Sequence, residues 1–130
     1  MNAFAKISAI VSSGLKAQAY RLQLASENLA NTDTHGYRRK LVAFDAAMDR
    51  ETGADLVRVS RVMLDPKEGA RLYDPSHPLA DESGHVEMSN VNLMTELADA
   101  REANRSYEAG LQIVRQARDM YAGLIDILRR

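Results

Sequence analysis

The last third of the chain sets the strongest constraint on how it can fold. Positions 93, 97, 100, 104, 107, 111, 114, 118, 121, 125 and 128 step alternately by four and three residues, and nine of these eleven are Leu, Ala, Tyr, Val or Ile; only Asn104 and Arg118 interrupt. Such a ladder, kept over five heptads, predicts a long helix with a coiled-coil seam. Asn92 stands where it can cap this helix, Glu96 and Asp99 fall near its start, and Arg129 and Arg130 fall at its end, each with the sign the helix dipole favours. Two more rows flank the seam: Ala103, Gly110, Ala117 and Leu124 on one side, Ile113, Met120 and Ile127 on the other. One partner helix cannot cover all three rows. The small residues at 103, 110 and 117 would admit a second helix closely, and Gly110 and Gly123 each cost about 1 kcal/mol relative to Ala in a helix.

From Asn92 to Leu128 the helix is about 55 Å long at 1.5 Å per residue, whereas a compact domain of this length is roughly 36 Å across. The helix must project beyond its own globule. Each buried Leu or Ile is worth about 1.5–3 kcal/mol, so the uncovered rows call for other chains. A rod whose stripes differ from side to side makes heterologous contacts, which close into rings or run on as filaments. The expectation is a structural subunit of a helical or tubular assembly.

Residues 4 to about 30 predict a first amphipathic helix, with Phe4, Val11, Leu15, Leu22, Ala25 and Leu29 on one side. It should stop within Asn31-Thr32-Asp33-Thr34-His35-Gly36, where side chains compete for backbone hydrogen bonds and a glycine is free to take positive φ. Residues 41–50 are compatible with a short helix or an extended arm. Leu56–Leu64 is β-branched and partly alternating and predicts a strand. All three prolines lie between Asp65 and Asn90, where turn dipeptides predict a small hairpin-and-loop insert. The expected fold is mainly α: long N- and C-terminal helices paired as an antiparallel coiled coil, with a small β-hairpin/loop insert between them. The expected organisation is one structural unit, with a core helix and motif over 1–35, the insert over 36–90 and a second core helix over 91–130.

Composition removes several classes of function. Lys and Arg number 17 against 18 Asp and Glu, a net charge of −1, which argues against a nucleic-acid binder. With no cysteine there is no disulfide frame, thiol nucleophile or thiolate metal site. No stretch approaches the ~20 apolar residues of a membrane span, so no direct membrane insertion is expected. The apolar start resembles a secretory signal, but Lys16 and three serines interrupt it and its helical periodicity continues, so cleavage is not expected. No nucleophile elbow, phosphate-binding glycine loop or paired carboxylate is present, which leaves catalysis without a candidate and no cofactor is expected. His77, Asp81 and His85 would suit a metal on one helical face, but Pro78 and Gly84 oppose such a helix. Arg38-Arg39-Lys40 reads as a solvated turn. Asn104 lies on the seam, where it would fix helix register.

Leu24-Ala25-Ser26-Glu27-Asn28-Leu29-Ala30-Asn31-Thr32-Asp33-Thr34-His35-Gly36-Tyr37-Arg38-Arg39 resembles the amino-terminal motif of the bacterial flagellar rod and hook axial protein family. The stretch Tyr73-Asp74-Pro75-Ser76-His77-Pro78-Leu79-Ala80-Asp81 follows, then Gly84, Val86, Asn90-Val91-Asn92 and Ala103-Asn104-Arg105-Ser106-Tyr107. Together they are similar to the proximal rod branch of that family, over nearly the whole chain. Ser76, His85, Ser89 and Gly110 depart from the branch's usual residues.

The resemblance implies a non-enzymatic building block of the basal-body rod, the shaft that crosses the periplasm and carries torque. It also implies export by the flagellar type III apparatus and partners among other rod proteins and copies of the chain itself. The candidate assembly residues on the core helices are Leu15, Leu22, Leu29, Leu97, Tyr107, Leu111, Val114, Tyr121, Leu124, Ile125 and Leu128. Asn28, Asn31, Gly36 and Tyr37 would set how the chain leaves the first helix, and Tyr73 to Asp81 would build a rigid loop. A soluble helical adaptor, docking an amphipathic helix in a partner's groove, is the alternative from another class. A small hydrolase using the His77 loop is a remote third.

Overall fold

Two helices of unequal length flank two separate hairpins in the computed structural model, which describes residues 3–130. Helix α1 spans Ala3–Ala30 and α2 spans Leu93–Arg129. Between them, β1 (Lys40–Met48) pairs antiparallel with β2 (Asp55–Leu64), and β3 (Arg71–Tyr73) pairs antiparallel with β4 (His85–Glu87).

Local chemistry accounts for the ends. The Asn31 N–H donates to the Glu27 and Asn28 carbonyls, the Asn31 amide side chain donates again to Glu27 O (2.8 Å), and Thr32 Oγ1 donates to Leu29 O (2.8 Å). The last carbonyls of α1 are thereby satisfied without another helical turn. Gly36 then takes φ +71°, which a residue with a Cβ resists. At the start of α2, the Asn92 side chain accepts from Met94 N and Thr95 N, satisfying two donors the helix leaves unpaired.

The β1–β2 ribbon carries a bulge. Ala43 faces Arg61 and Phe44 faces Val59, which leaves Ser60 as the extra residue. It rephases the strand, so that Val57, Val59, Val62 and Leu64 share one face although their spacing in sequence breaks alternation at 59–62. Residues 41–50, open between helix and arm on sequence, are therefore strand through most of their length.

The helices run antiparallel. Phe4 stacks on Tyr121 with ring centroids 4.7 Å apart, Val11 and Leu15 lie against Gly110, and Arg21 reaches Asp99 (3.5 Å) and Glu102 (3.3 Å). The expected fold class nevertheless needs correction. It is not a mainly α antiparallel coiled coil with a small insert: the helices hold about half the chain, two antiparallel sheets hold about a fifth, and α1 has only 28 residues against 37 in α2. The anticipated seam is covered only in part, with Ala100, Tyr107, Leu111 and Val114 half-buried. Ala103 is wholly buried and Gly110 and Ala117 are half-buried, while Leu93, Leu97, Asn104, Arg118, Tyr121, Ile125 and Leu128 are exposed. The reason is steric. Ala103 and Gly110 let α1 approach α2 closely, with Leu15 and Val11 against Gly110, and the bulkier seam positions are covered only along the middle of α2.

The enclosed core is correspondingly small. The buried hydrophobic residues among those described are Ala17, Leu24, Ala25, Ala54, Val86 and Ala103, so only Leu24 and Val86 carry large side chains. The chain exposes 9295 Å², against about 6,800 Å² for a compact protein of this mass. Every residue from Arg118 to Arg130 is exposed, with Ile127 at 70% and Leu128 at 84%. No helix is long and apolar enough among the described residues to cross a membrane.

Candidate assembly site

The residues at the end of α1 and the start of α2 converge on one junction. Asn28 is 1% exposed. Its Oδ1 accepts from Lys40 N (2.8 Å) and from the Tyr37 hydroxyl (3.0 Å), and its Nδ2 donates to Lys40 O (3.1 Å). One side chain thus uses both ends of its amide to hold the first residue of β1 against the helix. Burial pushes the Tyr37 phenol up from its usual range, with Lys40 pulling the other way.

Asn90 does the same from the opposite side. Its Oδ1 accepts from Arg39 N (2.6 Å), its Nδ2 donates to the carbonyls of Asp65 (3.1 Å) and Lys67 (2.8 Å), and its own N–H donates to Tyr37 O (3.1 Å). Four segments distant in sequence are joined by two asparagines. Gly36 N donates to Glu87 O (3.0 Å), and Ser89 Oγ donates to Thr32 O, which ties β4 into the same place.

Arg39 sits at the centre. Its guanidinium lies 2.6 Å from Glu96, 3.3 Å from Asp99 and 3.7 Å from Asp65. Glu96 is 1% exposed. Burial opposes the Arg39 charge, but the hydrogen bond and charge of Glu96, with Asp99 and Asp65, outweigh it and hold the guanidinium above its usual range. The sequence reading of Arg38-Arg39-Lys40 as a solvated turn is corrected on this point. Arg38 reaches Glu87 (2.6 Å) and the Lys67 carbonyl, and Lys40 reaches Glu27 (3.0 Å). All three cations are engaged. Arg39 and Glu96 were missed as functional residues because they lie 57 positions apart; the one available signal was three adjacent cations directly after a helix stop.

The loop between β3 and β4 is organised by Asp81. Its Oδ1 accepts from Ser83 N (2.9 Å), Ser83 Oγ (2.6 Å) and His85 N (3.0 Å), and Oδ2 pairs with Arg71. The Ser83 hydroxyl first, then the backbone donors and Arg71, lower its carboxyl to about 2. A depressed carboxyl stabilises the fold above its unfolded value of 3.8, and that contribution is lost only as pH falls through about 2. Gly84 takes φ +78°, and a Cβ there would meet the Tyr73 ring at 2.9 Å and Pro75 at 3.1 Å. Tyr73 in turn meets His85 edge-on at 5.3 Å. His77 accepts from Leu79 N at 3.1 Å, and Pro78 falls between them. Tyr73, Pro75, His77, Pro78, Asp81 and Gly84 therefore share one loop. No group of three His, Asp or Glu among the described residues is placed to hold a metal ion.

The candidate helix residues divide into two sets. Leu15, Leu22, Leu29, Tyr107, Leu111 and Val114 are half-buried, whereas Leu97, Tyr121, Leu124, Ile125 and Leu128 are exposed. Arg105 is exposed on α2, and Leu22 and Tyr107 border one shallow groove. Near the far end of the pair lies an apolar groove of about 370 Å³, lined by Phe4, Ile7, Ala117, Met120, Tyr121 and Leu124.

Residues 10–38 match the family described as flagella basal body rod protein, and residues 82–127 match the flagellar basal body rod FlgEFG protein C-terminal family. The flagellar basal-body rod protein FlgC of Agrobacterium fabrum is 45% identical over 136 aligned positions, covering 99% of this chain and 98% of that one. The chain belongs to the FlgC family of flagellar basal-body rod proteins. Two further FlgC relatives share less identity with it. The Salmonella typhimurium protein is 37% identical over 85% of this chain and 87% of its own, and that of Borreliella burgdorferi 31% over 99% of each. As a FlgC-family member, the chain is a structural subunit of the flagellar basal-body rod. The two family matches lie on opposite sides of the junction: one holds Asn28 and Tyr37, the other Asn90 and Glu96.

Proposed function

We propose that the chain is a load-bearing subunit of the proximal rod, packing along α1 and α2 against other rod proteins and further copies of itself, and passing torque through many parallel helix contacts. The observation that carries this is the bare end of α2, where Met120, Tyr121, Leu124, Ile125, Ile127 and Leu128 face solvent together. Burying such side chains is worth about 1.5–3 kcal/mol each, and only neighbouring chains are available to do it. The Asn28–Asn90 junction and the Arg39 ion pairs support the same reading, since torque passes from helix to insert only if the two are rigidly joined. In this reading the chain performs no catalysis and reaches the rod through the flagellar type III export apparatus.

The test is made in the native bacterium. Deleting the gene should abolish motility, and a tagged copy should restore it and co-purify with basal bodies at the base of the rod. A deletion strain that swims normally, or a tagged chain found in small soluble complexes and absent from basal bodies, would reject the proposal in favour of a helical adaptor.

A further inference from the structure

The hydrogen-bond phase of the β1–β2 ribbon fixes which of its backbone groups point away from the partner strand. Asp65 N donates to Arg39 O (2.9 Å) and Asp49 N donates to Ala54 O (2.8 Å), so hydrogen-bonded pairs close the ladder at both ends. In an antiparallel pair, bonded and non-bonded positions alternate. Counted inward along the register, Leu41, Ala43, Asp45 and Ala47 bond to β2, whereas Lys40, Val42, Phe44, Ala46 and Met48 turn their N–H and C=O groups outward. Side-chain bonds agree with this phase. Asn28 takes both outward groups of Lys40, and Ser13 Oγ accepts from Val57 N, the outward residue opposite Ala46.

The two edges of the ribbon differ. On β2, the Ser60 bulge breaks the outward row and α1 closes Val57 through Ser13, and both devices blunt a strand edge. On β1 the outward row Val42, Phe44, Ala46 and Met48 is unbroken, holds no proline or charged residue, and its outward backbone groups have no partner among the described residues. A cavity of about 370 Å³ borders this edge, lined by Leu24 and Ala25 of α1 and by Val42 and Phe44. The same four residues share the apolar face of Val57, Val59, Val62 and Leu64, and Met48 is 71% exposed. At the hairpin tip, Asp49, Glu51 and Asp55 stand against Arg50 alone, and none of the four forms an ion pair among the described residues.

We propose that the outer edge of β1 is a strand-addition site for an extended segment of a neighbouring rod subunit, one with apolar side chains at alternate positions and a Lys or Arg where it passes the hairpin tip. Open backbone donors and acceptors select extended chain over helix. The apolar face selects the alternating side chains, and the uncompensated carboxylates of the tip select the cation. A third strand also completes a ribbon that is marginal with two. That the occupant belongs to a rod subunit rests on the packing reading above.

The test compares Ala46→Pro with Ala46→Ser. Proline deletes an outward N–H, leaves the inward ladder intact and has a φ that an edge strand accepts, whereas serine keeps the N–H. Both purified variants should unfold at the urea midpoint of the native chain. In the native bacterium the serine variant should enter basal bodies as the native chain does, and the proline variant at least about tenfold less. Hydrogen exchange read by mass spectrometry needs no variant and decides alone if the proline chain does not fold. In the free chain the Phe44 and Ala46 amides should exchange at least about tenfold faster than those of Asp45 and Ala47, and in basal bodies that difference should vanish. Equal incorporation of the two folded variants, or Phe44 and Ala46 amides that stay fast in basal bodies, would overturn strand addition and leave the helix packing untouched. Absence of the native chain from basal bodies would instead remove the packing reading, and this occupant with it.

Discussion

Arg39→Met should cost about 3–5 kcal/mol of stability, the usual penalty for removing one partner of a buried ion pair. In this chain the penalty falls on Glu96, a carboxyl at 1% exposure left without its 2.6 Å partner. Urea unfolding followed by circular dichroism measures the loss, and for a chain of this size the melting temperature should drop by about 10 °C or more. The double variant Arg39→Met with Glu96→Leu should recover much of the loss, since replacing both partners by apolar groups removes the stranded charge. A single variant within 1 kcal/mol of the native chain would show that this pair does not anchor the junction.

Ile127→Glu with Leu128→Glu should leave the isolated chain almost unchanged and abolish its incorporation into the rod. Both side chains stand in solvent in the single chain, at 70% and 84% exposure, so the change in folding stability should stay within about 0.5 kcal/mol per site. In an assembled core the same positions would bury unpaired carboxylates, at a cost of several kcal/mol for each. Unfolding midpoints and motility are the paired readouts. Full motility in this variant would place the end of α2 outside any contact that matters.

What could be read from sequence was mostly local. The stop of α1 and the cap of α2 depend on side chains within four residues of the backbone they satisfy, so Asn31, Gly36 and Asn92 identified both ends. The turn at Asp81 and Gly84 was visible as a proline- and glycine-rich segment for the same reason. What could not be read was set at a distance. Lys40–Met48 became strand only by pairing with Asp55–Leu64, and the Ser60 bulge that aligns their apolar faces has no signature in either strand alone.

The coiled-coil seam was misplaced for a different reason. Counting large hydrophobics treats every seam position alike, whereas in the single chain α1 fits closest at the small residues Ala103 and Gly110 and leaves Leu93, Leu97, Tyr121, Ile125 and Leu128 exposed. The motif residues were legible as strings. Their convergence was not, because Asn28, Tyr37, Asn90 and Glu96 meet only once both hairpins are in place.

The most direct measurement is chemical accessibility at Leu124. The chain has no cysteine, so Leu124→Cys gives a single thiol on the apolar groove near the end of α2, at a position 59% exposed in the free chain. Maleimide labelling is compared between the purified chain and intact basal bodies. Burial against neighbouring subunits predicts rapid labelling of the free chain and at least about tenfold slower labelling in the rod, an equilibrium protection of roughly 1.4 kcal/mol or more. Equal rates in the two states would contradict it, because the apolar end of α2 would then face water in the assembled structure as it does in the single chain.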